Sequence, residues 1–406
     1  MKKYLLLILL LWLLPARGNV PEYTYGSMLP LHVPEEAPAW PEGYEPFYVN
    51  HTGRHGARFM SSDKKARNLY ECLSKAKDAG ALSSKGRALL KLTENVLLAS
   101  QGKWGTLTPL GESQERQIAS FTLSCMGESL KKGKATACAT YVPRVVMSMY
   151  EFCYSLSILT SRLEMTTAEG REFSPLLRFF AVNNSYVDFL QSPALDDLVA
   201  RSKAQTVPAT PARALFTEKY ILSDKELRDI TYDAYEILQS LPAMEMNENP
   251  LKWFTTEEFT ACWQQSNYEH WLERTGGYSP VPLKSARILL DKIVNELDAA
   301  ASGRDAEIKA SMHFGHAETL MPLLALMRVP DMCWTSPSSS LPGASTVASH
   351  WRDSNVVPLG AFMQVQLARD ASGNVYGRII VNGHITTPPT LWSTLRERLN
   401  LNRINN

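Results

Sequence analysis

The apolar run Phe47-Tyr48-Val49 leads into Arg54-His55-Gly56-Ala57-Arg58, which sets one imidazole between two guanidinium groups where a strand should end. A fold that accepts this stretch must bury the strand and still turn these side chains toward something anionic. A phosphate monoester meets that need, because it carries nearly two negative charges at neutral pH and arginine offers it a planar fork of donors that never loses its charge. Histidine between such forks can attack phosphorus. Gly56 allows close backbone approach and turn angles that a Cβ would forbid. The plainer reading is a charged surface turn with an incidental histidine, and the second arginine at the fifth position weighs against it.

A second segment, Ser311-Met312-His313-Phe314-Gly315-His316-Ala317-Glu318-Thr319-Leu320, follows the strand-like Ile308 to Met312 and precedes the apolar Leu320 to Met327, so it reads as strand, loop, helix. Four of the eight histidines (His51, His55, His313 and His316) fall in these two windows. Solvated surface histidines would not cluster so. His-x-x-His-x-Glu invites a metal reading, but a helical zinc motif needs its histidines four apart on one face, and these are three apart in a loop. No metal and no cofactor is expected.

Taken together, Arg54-His55-Gly56-x-Arg58 and the distal His316-Ala317-Glu318 resemble the second branch of the histidine phosphatases, in particular the multiple inositol polyphosphate phosphatase (phytase) group. Other members of the branch commonly carry His-Asp where this group has His-Ala-Glu. The likeness runs from about Gly43 to the C-terminal hairpin and is strongest at Arg54 to Arg58, at Pro143-Arg144 through Ser148 and Phe152, and at His316 to Pro322. It implies that His55 is the nucleophile of a phosphohistidine mechanism. It further implies that Arg54, Arg58, Arg144 and His316 clamp the phosphoryl oxygens and that Glu318 protonates the leaving alcohol.

Elementary chemistry agrees with those roles. An inositol alkoxide is a poor leaving group, so a positioned acid is worth about two to four powers of ten in rate. Three arginines and an imidazolium aimed at the equatorial oxygens stabilise phosphoryl transfer without a metal. His55 must attack unprotonated while Glu318 begins protonated, which predicts a bell-shaped profile with an acidic to near-neutral optimum. Arg144 sits at an ordinary helix start, Tyr141 to Phe152 with Pro143 near the first position. A cation there opposes the helix dipole unless an anion shares the N-terminus, and this favours the phosphate role over simple solvation.

Composition sets the outer bounds. Met1-Lys2-Lys3, the apolar Tyr4 to Leu14 and Ala16-Arg17-Gly18 form a signal peptide over residues 1–18, too short to span a bilayer. Its removal takes the formal net charge from +1 to about −2, so attraction for a polyanion must be local. No nucleic-acid patch and no membrane span is evident. The protein is expected to be secreted or periplasmic, bacterial and monomeric. Six cysteines permit three disulfides in that compartment, with Cys125 and Cys138 the first candidates because they flank a Gly- and Lys-rich loop. Cys72 and Cys153 fall on apolar helix faces, where a buried thiol is as reasonable. Asn50-His51-Thr52 and Asn183-Asn184-Ser185 are formal glycosylation sequons and read as chance matches.

Along the chain, Ser62-Asp63 opens a helix with apolar Ala66, Leu69, Cys72, Leu73 and Ala76, ended by Gly80. Lys64, Lys65 and Arg67 lie in its first turns. They form either a solvated face or contacts to peripheral phosphates of the substrate. Further helices are predicted over Lys85 to Ser100, Leu110 to Leu123, Pro143 to Ile158 and Val281 to Ala301, and strands over Ala361 to Leu367 and Val375 to Val381. Residues 164–277 read as an inserted helical cap whose aromatics are core, with Arg201, Lys203, Arg213 and Lys219 as possible cleft residues. The fold class is therefore α/β: an open, mostly parallel sheet with flanking helices, formed by residues 19–163 and 278–406 and interrupted by an α-helical cap. His55 and His316 each follow a strand and precede a helix, so two such loops can meet over one phosphate at the carboxyl edge of the sheet.

The favoured function is phosphomonoester hydrolysis on inositol polyphosphates such as inositol hexakisphosphate (phytate). A less selective acid or sugar phosphatase is the first alternative. A mutase would require an exclusion of water that the sequence does not reveal. A non-catalytic phosphoanion-binding envelope protein would need neither a nucleophile nor an acid.

Overall fold

The computed structural model describes residues 19–404, so the N-terminal leader expected from the sequence lies outside the described residues. Seven strands form one sheet: β1 (Glu45–Arg54), β2 (Lys132–Thr140), β3 (Arg162–Gly170), β4 (Ile308–Gly315), β5 (Phe362–Arg369), β6 (Val375–Val381) and β7 (His384–Leu391). Their order across the sheet is β3-β2-β4-β1-β5-β6-β7. The first four run parallel, and β5 to β7 continue from β1 as an antiparallel meander. The chain leaves β1 toward β2 and β3, then returns to insert β4 between β2 and β1.

Both faces of the sheet are covered, and the two-residue period of a strand decides which side chain goes where. Tyr48, Met363, Val365 and Leu367 share one core with the helices Val281–Ala301, Ala317–Leu326 and Trp392–Ile404. Val49, Ala310, Met312 and Phe314 face the other, against Pro109–Met126 and Pro143–Leu159. A third core lies off the sheet. There the helices Lys64–Asp78 and Ser84–Ser100 pack with Asp224–Ser240 and Thr256–Arg274, so the first two helices after the Arg54 loop join the helical insertion.

The helices read from sequence appear within a few residues of their expected ends, as does the β5–β6 hairpin. Three strands, β2, β3 and β7, are not among those expected from the sequence. β2 is Lys-Gly-Lys-Ala-Thr-Ala-Cys-Ala-Thr, where Ala135, Ala137 and Ala139 line the buried face and no β-branched or aromatic run announces a strand. β7 contains Pro388 and Pro389, which the edge of a sheet tolerates because no ladder bond is needed there. The chain also stays in the sheet through Gly170, into the span read as helical cap.

The expected Cys125–Cys138 disulfide is absent, and all six cysteines are free thiols. Cys125 belongs to the core on one face of the sheet and Cys138 to the core on the other, because the "loop" between them is mostly β2 itself. The Asn50 sequon lies in β1 with Asn50 fully buried, so the folded protein cannot carry a glycan there. Among the described residues no helix is long and apolar enough to cross a membrane.

Candidate active site

Three neighbouring parallel strands, β2, β4 and β1, release the chain at one edge of the sheet, and each opens onto part of the site. Arg54 is the last residue of β1 and pairs with Gly315, the last of β4. His55 therefore lies beside His316, their ring centroids 5.9 Å apart and nearly perpendicular. The two loops, 261 positions apart in the chain, meet as the topology requires.

The His55 loop is held by backbone bonds on every side. Its N–H donates to Gly315 O at 3.2 Å, and its carbonyl accepts from Gly360 N at 3.0 Å. Gly56 N–H donates to Ser148 Oγ (3.1 Å), and Ala57 N–H to Gln114 Oε1 (2.8 Å). Gln114 in turn donates to the carbonyls of Leu31 and Leu359. Gly56 needs its missing side chain, since a Cβ there would stand 2.5 Å from the carbonyl oxygen of Gly111. Gly111 opens the helix Pro109–Met126, and a Cβ on it would meet the Ala57 carbonyl at 2.1 Å.

His55 Nδ1–H donates to Gly56 O at 3.0 Å. The acceptor can only be a carbonyl, which fixes the tautomer and leaves the lone pair on Nε2. Burial, and then the charges of Arg144, Arg54, Arg58 and His316, hold His55 far below the ordinary imidazole range. That shift favours the neutral imidazole.

Around His55, His316 and Glu318 converge guanidinium groups whose donors the protein does not all satisfy. The Nε–H groups of Arg54, Arg58, Arg144 and Arg178 and the Nη1 of Arg274 are buried without a partner among the described residues. Arg54 is anchored through Nη1 to Ser27 O (2.6 Å) and to Val357 O. Arg58 Nη1 donates to Phe59 O (2.9 Å). Burial lowers both guanidinium pKa values, to about 10 for Arg54 and about 9 for Arg58, so both remain charged at neutral pH. Orphaned buried donors of one sign mark a place meant for an acceptor that is not part of the chain.

His316 caps the helix Ala317–Leu326: its N–H donates to Thr319 Oγ1 (3.1 Å), while its Nε2 lies 3.3 Å from Thr140 Oγ1, the last residue of β2. Burial lowers its pKa to about 3, with Arg144, Arg178 and Arg54 adding to the effect against Glu318. The free site thus holds a neutral imidazole where the sequence suggested an imidazolium. Glu318, in the first turn of the same helix, is about a third exposed and has Arg274 Nη2 3.9 Å from Oε1. Burial would raise its pKa, but Arg274, His316, its own amide and Arg54 outweigh this and hold it well below the usual carboxylate range.

Of the outer candidates, Lys64 and Lys65 line a pocket of about 220 Å³ that shares Arg58 with the site. Lys65 is ion-paired with Glu236. Arg67 points elsewhere, making a two-pronged bond to Asp63 on the exposed helix face. Arg201, Lys203 and Arg213 pair with Asp197, Asp229 and Asp224 within the insertion, and Lys219 is exposed. His51 and His313 sit inside the sheet below the site. His51 lies among Phe152, Phe314 and Phe362, and His313 bonds Glu296 at 3.3 Å.

Sequence reasoning missed Arg178 and Arg274, both from the insertion. Arg178 donates to Tyr141 Oη (2.9 Å) beside Arg144. Its only signal was position, an arginine between the buried Leu177 and Phe179. Arg274 ends a long helix and gave no signal of its own.

Fold and site together define an α/β protein with a helical insertion and a cluster of buried cationic side chains at the carboxyl ends of parallel strands. Solved structures of this architecture include the multiple inositol polyphosphate phosphatase of Bifidobacterium longum. Its apo form is 17% identical, with a TM-score of 0.73, covering 90% of this chain and 92% of that one. The same protein in complex with inositol hexasulfate is 18% identical, with a TM-score of 0.73 and coverages of 91% and 93%. The phytase from D. castellii is 14% identical, with a TM-score of 0.67 and coverages of 94% and 85%. At these identities the likeness is one of fold. No protein-family model matches the sequence, and no curated protein matches it.

Proposed function

We propose that this chain is a phosphomonoester hydrolase of the multiple inositol polyphosphate phosphatase group, releasing phosphate from inositol polyphosphates such as inositol hexakisphosphate. The observation that carries the reading is the neutral His55 ringed by buried, unpartnered guanidinium donors from Arg54, Arg58 and Arg144, with His316 alongside and Glu318 at the rim. The fold it shares with the B. longum phosphatase, a protein solved with inositol hexasulfate and with phosphate, supports the substrate class.

In the forward step His55 Nε2 forms a bond to phosphorus as the phosphorus–oxygen bond to the inositol breaks. Glu318 passes its proton to the leaving oxygen. Water then attacks the phosphohistidine, giving a proton back to the Glu318 carboxylate as the P–N bond breaks. Glu318 is ionised in the free site, so it must gain its proton with the substrate. A bound phosphoryl group of nearly two negative charges offsets the field of Arg274 and Arg54 that keeps it ionised, and so raises its proton affinity. Arg54, Arg58, Arg144 and His316 hold the equatorial oxygens through the donors they leave free. Lys64 and Lys65 extend the positive surface toward peripheral phosphates, and Arg67, engaged with Asp63, is the weakest member of that set. With the leader removed, the enzyme would act outside the cytoplasm.

The test is a product profile from purified mature protein incubated with inositol hexakisphosphate, alongside His55→Ala. The expected result is stepwise release of phosphate by the parent and loss of at least about three powers of ten in the variant. Turnover retained by His55→Ala would refute the covalent mechanism. Equal rates on simple sugar phosphates and on inositol hexakisphosphate would favour the broad-specificity alternative.

A further inference from the structure

The grip on Arg54 has a source well outside the pocket. Its Nη1 donates to the carbonyls of Ser27 and Val357, and the Ser27 peptide is itself fixed, because Ser27 N–H donates to Asp353 Oδ2 at 3.1 Å. Asp353 is fully buried. Its carboxylate also meets Trp263 Nε1–H (3.1 Å, Oδ1) and His270 Nδ1 (2.8 Å, Oδ2), and its own N–H donates to Asn267 Oδ1 (2.8 Å). Trp263, Asn267 and His270 follow one another at i, i+4 and i+7 on the helix Thr256–Arg274, so one face of the insertion supplies three of its partners. The same helix ends in Arg274, the neighbour of Glu318. Gly26, at φ +56°, brings the Ser27 amide in. A Cβ there would lie 3.1 Å from Asp353 Oδ2 and 3.3 Å from Trp263 Cδ1.

A buried carboxylate is costly unless every lone pair is used, and an apolar residue of equal size would often stabilise a core as well. What the carboxylate adds here is a fixed position for the Ser27 peptide. Resting on the reading of Arg54 as a phosphate ligand, we propose that Asp353 is a positioning residue, which ties the helical insertion to the N-terminal segment and thereby aims the unpartnered Nε–H of Arg54 at the bound anion. The insertion then contributes to phosphate capture through the geometry of Arg54 as well as through its own arginines.

The experiment measures inorganic phosphate affinity by titration calorimetry for the parent, D353N, R54K and the double variant. D353N should bind phosphate about ten- to a hundred-fold more weakly, and the double variant no more weakly than R54K alone, because both changes remove one contact. Parent-like affinity in D353N, or losses that add, would overturn the inference while leaving the phosphatase reading intact. A parent that binds no phosphate would overturn that reading and the inference with it. Should D353N not fold, His270→Leu takes its place in the same cycle. It removes a partner from the oxygen that holds Ser27 and is only partly buried, so its loss should likewise vanish in the R54K background, and an additive or absent effect refutes the inference.

Discussion

His55 and Glu115 show how one buried site can shift two groups in opposite senses. The unfolded chain protonates histidines near pH 6.5, whereas burial keeps folded His51 and His316 neutral down to about 3 and His55 far below its ordinary range. Between those limits the unfolded state binds more protons, so these three residues make folding stability fall as pH drops from about 6.5 toward 3. Glu115 lies under the His55 loop, where burial pushes its pKa well above the usual carboxylate range against the influence of Ser148 and the Gly56 amide. The unfolded chain releases the Glu115 proton above about 4.5, so this residue costs stability as pH rises. Glu115→Gln, neutral at every pH, should melt with the parent near pH 4.5 and roughly 1–3 °C above it at pH 7. A variant melting below the parent at pH 7 but not at pH 4.5 would show that Glu115 is ionised in the fold. At the opposite rim, Glu318→Gln should slow hydrolysis of inositol phosphates by about 10²–10⁴ while sparing aryl phosphates, whose leaving groups need little help. Equal effects on both substrates, read from kcat/KM, would remove Glu318 from the acid role.

At the scale of elements, the site is a consequence of β4 entering between β2 and β1. That single insertion aligns Thr140, Gly315 and Arg54 at one edge and places the first turns of Pro143–Leu159 and Ala317–Leu326 over the same point. Both N-termini turn the positive ends of their dipoles toward that edge, and an anion bound there would make Arg144 tolerable where it stands. The join between the Arg54 loop and the helix Pro109–Met126 has no spare room. Gly56→Ala would press a Cβ onto the Gly111 backbone, and backbone on both sides cannot yield as a flexible side chain could. The expected cost is about 1–3 kcal/mol of stability, together with displacement of His55 and a loss of kcat larger than the loss of binding. A Gly56→Ala protein with parental melting temperature and kcat would show that the loop has slack.

Across the whole molecule, the helical segment between β3 and β4 contributes to the cationic cluster. It supplies Arg178 and Arg274 directly and reaches Arg54 through the Asp353 network. It also shares a core with Lys64–Asp78 and Ser84–Ser100, so the Arg54 loop is bracketed by sheet on one side and insertion on the other. Covalent cross-links play no part in holding these pieces together. All six cysteines should titrate as free thiols after denaturation of protein purified from an oxidising compartment, and melting should not respond to reductant. Fewer than six thiols would show that a disulfide forms.

The helices flanking the sheet and the strand–loop–helix units at His55 and His316 were legible from local pattern, because amphipathic periodicity and loop chemistry are written within a few residues of where they act. β2 was not, since an alanine-rich strand becomes a strand only when neighbours on both sides supply its ladder. Arg178 and Arg274 were hidden for a similar reason, as nothing nearby in sequence separates an arginine that faces solvent from one that faces a pocket. The sequence alone determined the α/β class and the two strand–loop–helix units that carry His55 and His316. Tertiary structure alone decided which distant arginines lie together, that Glu318 is held well below the usual carboxylate range, and that a buried aspartate far down the chain is tied through Ser27 to Arg54. Those are properties of through-space charge and packing, which depend on distance in the folded molecule and carry no local signature.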